Sequence, residues 1–120
     1  MSRDHRKLRV FALADSLVTS IYQTTQDFPA AERFGLQAQL RRSAVSVACD
    51  IVEGSARRTT AEYANFVNVA AGSAAKARYL VDLSRRLGFL GRAEGERLES
   101  GYRELSAGLQ ALIRSLSLEP

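Results

Sequence analysis

The chain has few cysteines and prolines, the residues that cross-link a chain or interrupt its helices, and it has no tryptophan. There is one cysteine, Cys49, and there are two prolines. A single cysteine excludes an intrachain disulfide, and the paired cysteine and histidine ligands of a zinc site are missing. No run approaches the roughly 18 consecutive apolar residues of a membrane-spanning helix. The basic N-terminus is not followed by an apolar signal core. We therefore expect a cytoplasmic protein with no membrane segment.

Catalytic motifs are missing as well. The only histidine is His5, near the N-terminus, where a solvated role is expected. The sequence contains no glycine-rich phosphate loop, no HExxH metal motif and no GxSxG nucleophile motif. The ExxH pairs that build dimetal sites in helical bundles are also missing. We expect no catalytic residues, no metal and no cofactor, and so not an enzyme.

What the chain does have is the composition of an ordinary globular domain. It has 120 residues, of which 46% are hydrophobic and 25% charged. This length predicts one domain, residues 1–120, large enough to bury a real core. The net charge of +4 suits a polyanionic partner such as nucleic acid, although many small proteins are mildly basic.

The stretch 39–54, QLRRSAVSVACDIVEG, organises the predicted fold. At 100° per residue, the apolar positions of the helix that contains this stretch form one buried stripe, made of Leu36, Leu40, Val47 and Ile51. A second apolar face has smaller residues, with Arg41 beside it: Ala38, Val45, Ala48, Cys49 and Val52. Two apolar faces exceed what a small monomer usually needs, so we expect a subunit contact here. Cys49 is expected to be packed and slow to react.

Three further helices are predicted around this one, over residues 6–26, 60–87 and 92–116. The first is apolar over twice the usual arc, so it is either the most buried helix or meets another subunit. Phe28-Pro29 ends it, and Thr59 with Glu62 forms a capping box for the third. In that helix, the small residues around Gly72 predict a close helix contact or a slight bend. Four long helices with short links predict an all-α, antiparallel up-down-up-down four-helix bundle.

The candidate site residues lie in and after the central helix. Gly54 is predicted to end the helix. Glu53 is expected to be a buried carboxylate that ties the corner between the second and third helices, partnered by Arg57, by Arg58 or by a backbone N–H at the start of the third helix. The alternative for Glu53 is that it binds a basic partner. Guanidinium groups suit phosphate through their forked donors, so the nucleic-acid candidates are Arg41, Arg42, Arg57 and Arg58. The alternative for each arginine pair is a solvated face. Arg41 also lies beside the expected subunit contact.

The pattern as a whole resembles a known family. The residues that carry the resemblance are Phe28-Pro29, Glu32, Gly35-Leu36, 39–47, 51–54, Phe66, Ala70 and Gly72-Ser73. They look like the four-helix bundle proteins encoded by intervening sequences in bacterial large-subunit ribosomal RNA genes. The accessory variability determinant protein of diversity-generating retroelements is similar.

This resemblance implies an antiparallel four-helix bundle that assembles as a barrel-like homopentamer. The retroelement members have a basic surface that binds nucleic acid and a reverse transcriptase, and the resemblance implies such a surface here. The chain departs from the family pattern at two positions. Phe11 stands where tryptophan is common, and Lys76 stands where glutamate is usual, which reverses a charge on the third helix.

Together these observations predict a non-enzymatic homo-oligomer, with a pentamer as the expected state, that acts as a nucleic-acid or nucleoprotein accessory. The face residues expected at subunit contacts or structural corners are Val45, Ala48, Val52, Glu53 and Gly54. The alternative is a structural or protein–protein interaction module with no nucleic-acid role. Binding that weakens steeply with salt would separate the two.

Overall fold

The structure, a computed structural model, describes residues 4–5 and 8–117. Its four helices are α1 (Arg9–Thr25), α2 (Leu36–Ser55), α3 (Thr60–Arg86) and α4 (Arg92–Ser117), with a short 3-10 turn at Ala30–Glu32. No strand occurs within these described ranges. The all-α prediction is confirmed, and the helix bounds agree to within a few residues. The predicted start of the first helix, at residue 6, lies outside the described residues.

The helices form an antiparallel bundle about 49 Å long with a cross-section of 23 × 19 Å. Each helix packs against its neighbour in sequence, and α1 also packs against α4, which closes the bundle. The short connections force successive helices to run in opposite directions. The rings of Phe28 and Phe89, 5.8 Å apart, join the α1–α2 connection to the α3–α4 turn at one end of the bundle.

The core follows the predicted stripes. Leu40 and Ile51 of α2 are completely buried, as are Tyr63 and Val67 of α3 and Leu105 of α4. Burial of such side chains contributes about 1.5–3 kcal/mol each, which is the main stabilising term in the bundle. The core also contains the hydroxyl group of Tyr102. Its burial raises the pKa of Tyr102 well above the ordinary value.

Two glycines of α4 let α1 approach closely. A Cβ added at Gly101 would lie 2.8 Å from Leu17 Cδ2, and one at Gly108 would lie 2.8 Å from Val10 Cγ1. Their spacing of seven residues puts both glycines on the side of α4 that faces α1. The loss of helix propensity at these positions is therefore offset by close packing of the two helices.

Arg41 fastens α2 to the C-terminal turn of α1. Its Nε donates to the Thr25 hydroxyl at 2.9 Å and its Nη2 donates to the Tyr22 carbonyl at 3.2 Å. The guanidinium carbon also lies 4.5 Å from the centre of the Tyr22 ring. A cation at this position suits the partial negative charge of a helix C-terminus.

The α2–α3 corner is equally well defined. The Thr59 hydroxyl accepts from the Glu62 N–H at 3.1 Å and donates to the Glu62 carboxylate at 3.0 Å, so the predicted helix cap is confirmed. Gly54 does not end α2 as predicted, because the helix continues to Ser55. It is buried inside the helix, where an added Cβ would lie 2.8 Å from Phe66 Cβ and 3.1 Å from Tyr63 Cδ1. Close packing of α2 on α3 therefore requires glycine at this position.

The α3–α4 turn uses a glycine for its backbone conformation. Gly88 has φ +81°, a value that residues with a side chain rarely adopt. The Phe89 N–H donates to the Ser84 carbonyl at 2.9 Å and the Gly88 N–H to the Arg85 carbonyl at 3.0 Å. This paired arrangement is the glycine-terminated helix end known as the Schellman motif.

Gly72, in the middle of α3, differs from these glycines. It is exposed, and an added Cβ would meet nothing within 4 Å. The close helix contact predicted for this stretch is instead made by the buried alanines Ala70, Ala74 and Ala77, which face the core.

These two environments give a matched pair of predictions. Gly54→Ala should lower the free energy of unfolding by about 1–3 kcal/mol, because the added methyl overpacks the α2–α3 contact. Gly72→Ala should raise it by about 0.5–1 kcal/mol through helix propensity alone. Urea denaturation of both variants checks this. Equal effects of the same sign would contradict the packing described at Gly54.

Neighbouring arginines give a second pair. Arg41→Gln should lower the free energy of unfolding by about 1–2 kcal/mol, because it removes the bonds to Thr25 and the Tyr22 carbonyl. Arg42→Gln should change it by less than about 0.5 kcal/mol, because Arg42 is exposed. Thermal and urea unfolding measure both, and an Arg41→Gln variant as stable as Arg42→Gln would contradict the fastening contact.

Candidate nucleic-acid interface

The four candidate arginines lie in two separate places. Arg41 and Arg42 are in the second turn of α2, whereas Arg57 and Arg58 follow its C-terminus. Sixteen residues at 1.5 Å per residue place the two pairs about 24 Å apart along the helix. One chain therefore brings each pair together but does not bring the two pairs into a single cluster.

Within the first pair, the two side chains have different surroundings. The Arg41 guanidinium is half-buried and engaged by Thr25 and Tyr22, as described above. Its charge adds to the local field, but its Nε and one Nη2 donor are used inside the chain. Arg42, on the polar side of α2, is exposed and is the member of this pair that could reach a phosphate.

The second pair forms an ordered basic corner. Arg57 Nε donates to the Glu53 carbonyl at 3.2 Å, and the Arg57 guanidinium carbon lies 4.9 Å from the centre of the Phe66 ring. Arg58 beside it is exposed. Because the Arg57 side chain is held by the corner, binding a phosphate there would cost little side-chain entropy.

The α3 helix that follows this corner has few acidic residues. Its only carboxylates are Glu62, in the first turn, and Asp82, in the last two turns. Between them lie Lys76 and Arg78, both exposed. Between Glu62 and Asp82, α3 therefore carries only positive charge, at Lys76 and Arg78.

Glu53 ties this corner through its backbone rather than its side chain. The side chain is exposed, so the prediction of a partnered buried carboxylate was wrong. The carbonyl of Glu53 instead accepts from Arg57 and from the Ala56 N–H. Partial burial, followed by the nearby Glu53 charge, raises the pKa of Asp50.

The second apolar face of α2 is incompletely covered within one chain. Val45 is 36% exposed, while Ala48 and Val52 are half-buried. Cys49 is exposed in the single chain, so the prediction of a packed thiol is wrong at this level. Gly54, by contrast, is used within the chain, in the contact with α3.

A groove between α3 and α4, with a volume of about 530 Å³, was not predicted from the sequence. Its polar lining comes from Arg78, Tyr79, Asp82, Glu99, Ser106 and Gln110. The signals that could have indicated it are the carboxylate-free run of α3 and a tyrosine, Tyr79, that lies off the core stripe. The α4 side of the groove depends on which helices are neighbours, which periodicity does not specify.

The groove's two carboxylates are paired with arginines. Asp82 lies 2.8 Å from Arg85 Nη2 and 2.9 Å from Arg86 Nε, and Glu99 lies 3.4 Å from the same Arg85 nitrogen. The side-chain hydrogen bond from Arg85 is the main reason that the pKa of Asp82 is lowered. The carboxylate therefore stays ionised and neutralised by its partners at neutral pH.

Neither a metal site nor a membrane-spanning helix occurs in the part of the chain that the structure describes. Across residues 4–5 and 8–117, no three histidine, cysteine, aspartate or glutamate side chains are grouped in a way that could hold a metal ion. In the same part of the chain, none of the helices has the length and apolar character needed to span a bilayer.

Comparison with solved structures supports the fold. The chain superposes with a TM-score of 0.82 on a protein of unknown function from the S23 ribosomal protein family of Bacteroides thetaiotaomicron VPI-5482, whose crystal structure was determined at 1.70 Å. The match covers 95% of this chain and 99% of the other, at 20% sequence identity. At that identity the likeness concerns the fold alone.

The sequence comparisons address the family. No curated protein matches the chain. The family model for the 23S rRNA-intervening sequence protein matches residues 6–111, which is nearly the whole bundle. The chain therefore belongs to the 23S rRNA-intervening sequence protein family.

Proposed function

We propose that the protein is a non-enzymatic, cytoplasmic homo-oligomer that binds nucleic acid through its phosphate backbone. The observation that carries the proposal is the ordered Arg57–Arg58 corner, continued by an α3 surface without carboxylates between Glu62 and Asp82. Arginine donors are suited to phosphate, and a positive surface of this extent attracts polyanions. The family's description, which refers to 23S rRNA intervening sequences, favours a nucleic-acid context.

The proposed contacts are to phosphates and do not read base sequence. Phosphate contacts fix the position of a protein on a strand, whereas sequence is read at base edges. The basic corner offers guanidinium groups without the set of amide side chains that reads bases in a groove. Binding should therefore be independent of sequence and sensitive to salt, because each phosphate contact releases counterions.

Self-association would strengthen this binding. The second face of α2, formed by Ala38, Val45, Ala48, Cys49 and Val52, has the small apolar residues of a helix contact and is not fully covered within one chain. A closed ring repeats each arginine once per subunit, so a charge of +4 per chain becomes a concentrated field. The resemblance to retroelement accessory proteins favours a pentamer that has a reverse transcriptase as its protein partner.

A second candidate, a protein–protein interaction module, is favoured by one observation. Phe34, beside the α1–α2 connection, is 88% exposed, and Leu87, at the same end of the bundle, is 53% exposed. A protein partner that covers this end of the bundle would remove both side chains from water. In this alternative the positive charge is incidental, and association would depend only weakly on salt.

The basic corner gives a direct test. Arg57→Gln/Arg58→Gln should weaken binding to all nucleic-acid sequences alike and flatten the salt dependence. The slope of log affinity against log salt should fall by up to about 1.8 for a duplex, or 0.9 per lost phosphate contact. Fluorescence anisotropy across a salt series measures both quantities.

The matched control is Arg92→Gln/Arg97→Gln, which removes two positive charges at the far end of the bundle, at the start of α4. It should keep the salt slope of the wild type. Equal losses in the two variants would mean that net charge, rather than the corner, drives binding. Absence of any binding by the wild type at low salt would remove the nucleic-acid proposal and favour the protein partner.

The exposed thiol tests the α2 contact. Labelling of Cys49 should be fast in dilute protein and should slow as concentration rises, because assembly covers the second face of α2. The control is Cys49→Ser/Ser100→Cys, which moves the thiol to an exposed position on α4 and should label fast throughout. A Cys49 labelling rate that is fast and constant up to concentrations where light scattering reports an oligomer would exclude this face as the interface.

A further inference from the structure

The groove between α3 and α4 combines three kinds of group that a nucleotide requires. Tyr79 supplies an aromatic ring that is 57% exposed, and Arg78 next to it supplies an exposed guanidinium. Across the groove, Ser106 and Gln110 of α4 supply a hydroxyl and an amide. The volume of about 530 Å³ falls in the range of small-molecule sites.

Of the charged side chains that line the groove, Arg78 is the one without an ion-pair partner among the described residues. The carboxylates of Asp82 and Glu99 face two guanidinium groups, those of Arg85 and Arg86, at 2.8–3.4 Å. Those four charges balance. Arg78 forms no ion pair with any residue in the described ranges, so its charge is available to an anion. An anionic ligand can therefore enter although two carboxylates line the groove.

Tyr79 has no packing role that explains it. The core face of α3 is filled by other residues, including Leu80 and Val81 directly after it, which are almost completely buried. An exposed aromatic ring next to an arginine is the usual means of holding an unpaired base, because stacking accepts any base. Serine and glutamine side chains can donate to and accept from base edges.

The outer face of α3 connects this groove to the basic corner. From Arg58 to Tyr79 is about 31 Å along the helix at 1.5 Å per residue. The exposed polar side chains on the way are uncharged or basic beyond the first turn: Asn65, Asn68 and Lys76.

We infer that the α3–α4 groove holds one nucleotide of a single-stranded nucleic acid, with its base stacked on Tyr79 and its phosphate on Arg78. The inference rests on the proposed function and narrows it to unpaired strands, because the bases of a duplex are already stacked on each other. Ser106 and Gln110 each carry a donor and an acceptor, so they contact the edge of any base and select none. The remainder of the strand follows α3 towards Arg57 and Arg58.

The test is fluorescence anisotropy with a labelled oligouridylate of about 12 nucleotides, a length within the range of known single-strand sites. Tyr79→Ala should weaken binding roughly tenfold at low and at high salt without changing the salt slope, because stacking releases no counterions. Tyr79→Phe keeps the ring and should bind as the wild type does. Arg78→Gln should reduce the slope by about 0.7, the value for one phosphate of a single strand.

Arg97→Gln is the matched control for charge, because Arg97 is exposed on α4 and does not line the groove. It should leave affinity and slope close to those of the wild type. Unfolding curves establish that Tyr79→Ala is folded. Photo-crosslinking of wild-type protein with a 5-iodouridine strand, followed by mass spectrometry, provides an independent measurement and should yield a Tyr79 adduct.

The outcomes separate this inference from the proposed function. If Tyr79→Ala binds like the wild type while Arg57→Gln/Arg58→Gln still flattens the salt slope, the groove inference fails and the proposed function stands. If the protein binds duplexes only, the groove inference also fails and the proposed function stands. If uridine monophosphate binds as tightly as the oligonucleotide, the site serves a free nucleotide, which also overturns the inference. If the wild-type protein binds no nucleic acid, both the groove inference and the proposed function fail.

Discussion

The close contact of α2 with α3 at Gly54 is the constraint on which the rest of the structure depends. A side chain at this position would overlap Phe66 and Tyr63, so glycine sets how near the two helices lie. That distance places Tyr63 fully in the core and leaves Phe66 at the edge, under the Arg57 guanidinium. The basic corner is therefore ordered by the same contact that packs the bundle.

The inner and outer surfaces of the bundle follow different physical requirements. Inside the bundle, Gly54, Gly101 and Gly108 allow close packing, because each lies where two helices approach too closely for a side chain. Outside, α2 keeps a face of small apolar residues, and α3 a basic face without carboxylates between Glu62 and Asp82. The packing of a single chain explains neither the apolar face of α2 nor the basic face of α3. A subunit contact for the first and a polyanion for the second would give each a physical reason.

Sequence reasoning predicts the local features well because they depend on short-range periodicity. The four helices, the Thr59 cap and the core stripe through Leu40 and Ile51 are all recovered. It fails where a residue's surroundings come from another helix. Glu53 and Cys49 were predicted to be enclosed, yet both are exposed in one chain. The contacts of Arg41 with α1, and the groove between α3 and α4, likewise depend on helix neighbours that no single-helix pattern specifies.

The most direct test of the central claim, that this chain is a self-associating binder of nucleic acid, is sedimentation velocity with a labelled single strand followed at two wavelengths. We expect the label to sediment with the protein at low salt, in a complex containing several chains per strand. The complex should release its strand as salt rises, while the protein assembly keeps its mass. A strand that sediments as free nucleic acid at low salt, beside protein of single-chain mass, would contradict the account.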